Sequence, residues 1–344
     1  MKLLVVLEWG RVMASGTVRG LIYETLMKNA GYDVRFVNHY PEMGLHVRGL
    51  NRVYGLLSER IIPRMAATAD IIYLSKVTSL SFVKRIREAA PRARIVLDFG
   101  DAVWLKAESE AKPFNEVLQL VDAVTTDNSH TAEYVRMFNK NCTVIPDCPQ
   151  VEAFDREREH KNKKASDENI TIGWVGSPST SYNLFTAWEA LERISERFPK
   201  VRLRLVGTGN STLPPFEKVK WSALPFYSQA EMINEVFGMD IGLFPLQDTE
   251  ACRVRGVLKA SVYMSGGAIP VCSPVGQVPD FVVDGMDGFI ARDTNEWVEK
   301  IESLITDASL RMRMAEQGLK KVRNELSVEK SFMLLNKVLR GETN

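Results

Sequence analysis

The chain of 344 residues is short of four things. It has four cysteines, Cys142, Cys148, Cys252 and Cys272, none of them spaced as a C-x-x-C zinc pair. That excludes a disulfide-stapled scaffold and leads us to expect free thiols in a reducing compartment. Histidine is equally scarce, with four residues, and His130 reads as a helix-start residue, since a lone imidazole with no carboxylate in view supports little chemistry. The net charge is only +1, which argues against a nucleic-acid binder. Long apolar runs are missing too. No segment approaches the roughly 20 residues of a membrane span, and the opening Leu3 to Leu7 run is too short for the core of a signal peptide. A soluble, cytoplasmic protein without nucleic-acid partners is expected.

What is present is ordinary globular material, 45% hydrophobic and 25% charged, in a chain long enough for two domains. Short apolar runs alternate with helical patterns, the signature of parallel strands in βα units. Strands are predicted at Leu3 to Leu7, Asp33 to Asn38, Ile71 to Leu74, Ile95 to Leu97 and Ala123 to Thr126. After an interruption come Ile170 to Val175, Val201 to Val206, Asp240 to Leu246 and Ala268 to Cys272. The interruption, residues 148 to 169, is heavily charged and without apolar period, and reads as a linker. It divides the chain into domains at 1–165 and 166–326. Helices are predicted at Phe82 to Ala89, Thr131 to Phe138 with Ser129 as N-cap, Tyr182 to Phe198, Gln229 to Phe237, Asn295 to Thr306, Ser309 to Arg323 and Val328 to Leu339.

Chemistry concentrates between Met239 and Ile290. Gly256 to Ser265 has helical spacing of Val257, Ala260 and Met264 and closes on Gly266-Gly267. Arg253, Arg255 and Lys259 crowd the loop and first turn of this helix, where unsatisfied backbone N–H groups and the positive dipole end also point. Such a place binds anions, and a diphosphate suits it. Ser177 and Thr180, in a small polar loop ahead of the next helix, form a second anion-friendly corner. In the first half, Asp98 and Asp101 stand at the end of a strand, where ligands sit in doubly wound sheets; they serve equally well as turn and helix caps. Gly16 and Arg19 follow the first strand and are either a ligand-facing loop or a tight turn with a solvent arginine. Leu45 to Arg64 is basic and partly amphipathic, with Arg48, Arg52, Arg60 and Arg64 among leucines. It is either a solvated face or a surface that rests on anionic lipid.

The order Asp240-Ile241-Gly242, Pro245-Leu246, Lys259, Met264, Gly267, Pro270-Val271, Asp284-Gly285 and Gly288-Phe289 resembles the nucleotide-sugar half of retaining glycosyltransferases of the GT-B fold, of the family-4 kind. The resemblance implies an α/β chain with two Rossmann-like domains whose parallel sheets face each other across a cleft. It also implies a last helix, 327–344, returning to the first domain. The implied activity is transfer of a sugar from a nucleoside diphosphate sugar to a glycan, lipid-linked or small-molecule hydroxyl, with retention and without metal or organic cofactor. Asp101, Arg253 and Lys259 take catalytic parts. Gly16, Ser177, Thr180, Arg253, Arg255 and Lys259 surround the diphosphate, Gly207, Tyr227 and Glu250 border the nucleoside, and Arg19 and Asp98 serve the acceptor. Peripheral contact with the inner face of a membrane fits a lipid-linked acceptor.

The chain departs from the family at several positions. Val262 stands where relatives carry the acid that holds the ribose, and valine accepts no hydrogen bond. Ser177 and Tyr182 replace an arginine and a lysine, Gly100 replaces the third residue of D-x-D-D-A, and Asp147 replaces an asparagine. These motivate a rival reading, a degenerate sugar-nucleotide binding or scaffold module. A GT-B epimerase is a third, for which crevice acids and bases are too few.

Overall fold

The computed structural model describes residues 1–10, 14–40, 50–105, 108–160 and 170–342. Contacts divide the chain into two units, Met1–Asp147 with Val328–Asn344, and Cys148–Ser327. Each is built on six parallel strands.

In the first unit, β1 (Lys2–Leu7), β2 (Asp33–Asn38), β3 (Ile71–Ser75), β4 (Arg94–Asp98), β5 (Ala123–Thr126) and β6 (Cys142–Val144) lie in the order β2-β1-β3-β4-β5-β6. The strands are apolar on both faces because both faces are covered. Leu4, Val6, Ile72, Leu74, Ile95 and Leu97 pack against α4 (Leu80–Ala89) and α5 (Glu108–Leu120) through Phe82, Ile86, Phe114 and Leu118. The alternate residues Leu3, Val5, Leu7, Tyr73 and Val96 meet Tyr23, Met27 and the last helix, Val328–Arg340, through Phe332, Leu335 and Leu339. The period of two across the sheet thus makes two separate cores.

The earlier helices of this unit are α1 (Ala14–Arg19), α2 (Glu24–Asn29) and α3 (Leu50–Ala66), and α6 (Ser129–Arg136) follows β5. Asn128, not Ser129, caps α6: its Oδ1 accepts the Thr131 N–H at 2.7 Å. Asparagine is as good a cap as serine and sits one residue earlier. Arg48 and the side chain of Arg52 lie outside the described residues, while the rest of α3 leaves Leu56, Leu57 and Ile61 exposed beside Arg60 and Arg64.

In the second unit, β7 (Thr171–Val175), β8 (Arg202–Val206), β9 (Trp221–Leu224), β10 (Ile241–Phe244), β11 (Ile269–Cys272) and β12 (Phe289–Ile290) take the order β12-β11-β10-β7-β8-β9. The stretch read as linker contains a helix, α7 (Val151–His160). Val151 and Phe154, one turn apart, are buried, so two anchors hold a helix whose other residues are nearly all charged. The unit boundary accordingly falls at Asp147, ahead of the residue 165 expected. The polar loop after β7 enters a 3-10 turn, Pro178–Thr186, before α8 (Trp188–Arg197). Then follow α9 (Gln229–Phe237), α10 (Glu250–Arg253), α11 (Leu258–Gly266), α12 (Val278–Phe281), α13 (Thr294–Thr306) and α14 (Ala308–Glu325). α11 packs closely on the sheet: a Cβ at Gly242 would lie 2.2 Å from the Tyr263 ring. No helix among the described residues is long and apolar enough to cross a membrane.

Candidate functional site

The carboxyl ends of β7, β8 and β10 carry most of the second-unit residues singled out from sequence. Tyr263 ties two of these ends together. Its hydroxyl accepts the Val175 N–H at 2.9 Å and donates to the Leu243 carbonyl at 2.9 Å. The strand ends are therefore fixed in relation to α11, which carries both Tyr263 and Lys259.

Lys259 occupies an unusual environment for an ammonium. Its Nζ lies 4.6 Å from the ring centre of Trp174 and 5.2 Å from that of Phe244, at the ends of β7 and β10. Ring faces attract a cation, yet the balance is unfavourable. Burial, with the positive charge of Arg255 adding to it, lowers the Lys259 pKa to about 7. Neither Lys259 nor Arg255 has an ion-pair partner among the described residues. Val257, the residue before α11, gives no side-chain cap, so the first N–H groups of that helix also await an acceptor. Two cations without an ion-pair partner among the described residues, beside a helix N-terminus, have the chemistry to hold an anion. Arg253 is placed differently. It ends α10, is exposed, and forks onto Asp248 at 2.7 and 3.1 Å. Glu250 is exposed at the start of α10, and Val262 is half-buried on α11.

The Gly176–Thr180 loop borders the same region. Ser177 and Thr180 are bound to each other, with the Ser177 N–H donating to Thr180 Oγ1 at 3.1 Å and the two hydroxyls 3.3 Å apart. Gly207, at φ +87°, is pressed against this loop: a Cβ there would stand 2.1 Å from the Gly176 carbonyl and 2.5 Å from the Tyr227 ring. Tyr227 donates to that carbonyl at 3.1 Å. Gly207 and Tyr227 thus buttress the loop backbone. A network invisible in the sequence completes the wall. Asn183 accepts the Gln247 N–H at 2.9 Å and donates to the Thr180 carbonyl at 3.2 Å, and the Tyr182 hydroxyl lies 3.5 Å from Cys252 Sγ. Tyr182, noted in the sequence only as standing where relatives carry a lysine, and Cys252 thus join the loop region to α10.

In the first unit Arg19 is not a solvent arginine. Its Nη1 donates to both oxygens of Asp98 at 3.1 and 3.2 Å, and its Nη2 lies 2.9 Å from Asp147 and 3.4 Å from Asp127. Asp98 also accepts from Thr125 Oγ1 at 2.6 Å. Burial alone would lower the Arg19 pKa, but the carboxylates of Asp147, Asp98 and Asp127 outweigh it and hold the guanidinium charged. Burial raises the pKa of Asp147, and raises that of Asp127 to about 7 against the pull of Arg19. The cluster explains Gly100, since a Cβ there would come within 2.6 Å of Arg19 Nη2 and 2.8 Å of Asp127. Asp127 carried no sequence signal, and the substitution at Asp147 was the only hint of the third carboxylate. Asp101 stands apart, half-exposed and paired with Lys76 at 2.5 Å. Lys76 itself holds φ +61°, a conformation uncommon for a side-chain-bearing residue. Gly16 lies inside α1 with its missing Cβ 2.2 Å from the Gly10 carbonyl, so it serves close packing of helix on loop. Among the described residues no group of three or more His, Cys, Asp or Glu is arranged to hold a metal ion.

With this geometry in view, comparisons with known proteins are informative. Residues 169–307 match the family model for glycosyl transferases group 1. The D-inositol 3-phosphate glycosyltransferase of Stackebrandtia nassauensis is 25% identical over 245 residues, 62% of this chain and 54% of that protein. The chain thus matches about half the length of this curated relative. Among solved structures, HepE of Anabaena in complex with UDP and glucose superposes with a TM-score of 0.70 at 14% identity, covering 99% of each chain. Sucrose-phosphate synthase of Thermosynechococcus elongatus superposes at 0.71 and 12%, again over 99% of each. The fold of the chain is GT-B, and the match to the glycosyl transferases group 1 model lies within its second unit.

Proposed function

We propose that the protein is a glycosyltransferase that moves a sugar from a nucleoside diphosphate sugar to an acceptor hydroxyl, with retention at the anomeric carbon. The bond from the anomeric carbon to the diphosphate oxygen breaks and the acceptor oxygen bonds to that carbon. The acceptor proton passes to the leaving diphosphate on the same face, so no protein nucleophile is required. The task left to the protein is to stabilise charge growing on the diphosphate. The observation that carries the reading is Lys259, a half-buried lysine whose ammonium lies over two rings beside Arg255 with no ion-pair partner among the described residues. Arg255, the α11 N–H groups and the Ser177–Thr180 loop would share the diphosphate, Tyr227 and Glu250 would border the nucleoside, and Asp101 would meet the acceptor hydroxyl. No metal or organic cofactor is invoked.

Calorimetry with UDP, GDP and ADP sugars, followed by donor hydrolysis, tests the reading. One donor should bind and be hydrolysed or transferred, and Lys259→Ala should cut turnover by about two to three decades, the loss typical of one charge-stabilising donor. Near-normal turnover in that variant would falsify the role of Lys259, and binding without turnover in the parent protein would favour the scaffold reading. The exposed Leu56, Leu57 and Ile61 beside Arg60 and Arg64 on α3 support a peripheral contact with anionic lipid. The protein should co-sediment with phosphatidylglycerol vesicles and not with phosphatidylcholine ones, and equal recovery from both discards this contact.

A further inference from the structure

The second unit has an open groove at the end of its sheet opposite Lys259. It holds about 840 Å³ and is bounded by Thr171, Arg202, Arg204, Lys220, Ser222 and Glu235, the last of these on α9. Thr171 and Arg202 begin β7 and β8, and Lys220 directly precedes β9, so the groove lies at the amino ends of the strands. β7 and β8 have five residues each, which sets it about 15 Å from the carboxyl ends that lead into the Gly176 loop. Its volume is that of a small-molecule pocket.

The floor is one face of the sheet. Leu203 pairs with Trp221 and Arg204 with Ser222 across β8 and β9. Arg202 and Lys220, one residue earlier on each strand, are therefore neighbours on the face that carries Arg204 and Ser222, while Leu203 and Leu205 enter the core behind it. The one carboxylate of the lining is already committed: Glu235 accepts from Arg204 Nε at 2.7 Å and from its Nη2 at 2.6 Å. Arg202 is exposed and its side chain has no partner among the described residues. Lys220 Nζ donates to the Pro199 carbonyl at 3.1 Å, a neutral acceptor that leaves the ammonium charge uncompensated. Like charges facing each other across a ladder repel, and an anion held by both removes that cost. Ser222 Oγ accepts from Arg204 Nη1 at 3.2 Å and keeps its own O–H to donate. The opposite wall, at Gly238, is the carboxyl end of α9. That end of a helix carries partial negative charge, so it disfavours a second anion and suits hydroxyl donors. The groove thus has a cationic floor for one anion and a rim for a polyhydroxylated body.

We propose that this groove is a second ligand site, which binds a phosphorylated sugar with its phosphate on Arg202 and Lys220 and its hydroxyls towards Ser222 and the end of α9. It is separate from the place assigned to the donor and does not depend on the glycosyl-transfer reading. The test is calorimetry of the full chain at low salt with glucose 6-phosphate, inorganic phosphate and glucose as probes. Glucose 6-phosphate should bind about tenfold or more tightly than either of the other two. Arg202→Gln should weaken it by about tenfold, the loss expected of a charge-assisted hydrogen bond, and Lys220→Gln by several-fold. Lys259→Met should leave it unchanged, which separates the groove from the start of α11. Arg202 and Lys220 are exposed, so both variants should keep the denaturant midpoint of the parent. No binding of glucose 6-phosphate, equal affinity for inorganic phosphate, unchanged binding in the Arg202→Gln/Lys220→Gln double variant, or loss of binding in Lys259→Met would each overturn the proposal. Glucose 6-phosphate binding that responds to Arg202, without binding of any UDP, GDP or ADP sugar, would leave the groove assignment standing and remove the transfer reading. The reverse pattern would do the opposite.

Discussion

Each unit of this protein holds a cation near the carboxyl ends of its strands, Arg19 buried and Lys259 half-buried, and the two are treated in opposite ways. Arg19 is surrounded by Asp98, Asp127 and Asp147, every one within 3.4 Å. Lys259 faces two aromatic rings and a second cation. Burying a charge is costly in either setting, but anions already in place offset the cost at Arg19. At Lys259 nothing within the described chain does so. A saturated cation holds a fold together, whereas an unsaturated one in a recess waits for a ligand whose charge completes it.

The contrast is open to direct attack by changing both residues to the same apolar side chain. Arg19→Met leaves two or three buried carboxylates without their counter-charge and should destabilise the first unit by about 3–5 kcal/mol, read as a large fall in denaturant midpoint. Lys259→Met removes a charge that the ligand-free protein holds at a cost, so its Tm should rise while turnover collapses, the trade common at sites built for function. A fall in Tm comparable to that of Arg19→Met would mean that Lys259 is structural and has a partner in solution.

A gentler change uses pH. The folded-state pKa of Lys259, about 7, lies below its ordinary value of 10.5. Between these values the unfolded chain binds more protons, so stability of the ligand-free protein should rise with pH across roughly 7 to 10.5. A diphosphate pairs only with the protonated ammonium, so donor affinity should fall above about pH 7, approaching tenfold per unit. Calorimetry between about pH 6 and 9 reads this, and an affinity flat over that range, or rising, would contradict the assignment of an unpaired Lys259.

Much of the local structure of the second unit could be read from the letters. Strands and helices of the second unit follow from apolar runs bounded by glycine and proline, and Lys259 could be placed at a helix start because that pattern is local. Arg253 shows the limit of such reading. It is two residues from Arg255, yet a four-residue helix turns it to Asp248, and no periodicity announces so short an element. The helix Val151–His160 escaped for a related reason, since two buried anchors among charges look like a linker until the surface they cover is known. The bonds of Tyr182, Cys252 and Asn183 were missed because they join loops distant in sequence.

The sequence by itself determined two parallel-sheet domains, their strands along the chain apart from β6, β9 and β12, and the positive charge gathered about the start of α11. These are properties of neighbouring residues, whose spacing sets period and polarity. Only the tertiary structure decided which charges are already spent. Arg19 and Lys259 look alike as cations beside strand ends, and their difference arises from carboxylates contributed by β4 and the segments after β5 and β6 in one case, and from the rings of Trp174 and Phe244 in the other. Electrostatic energy depends on distance and burial in space, and separation along the chain reports neither.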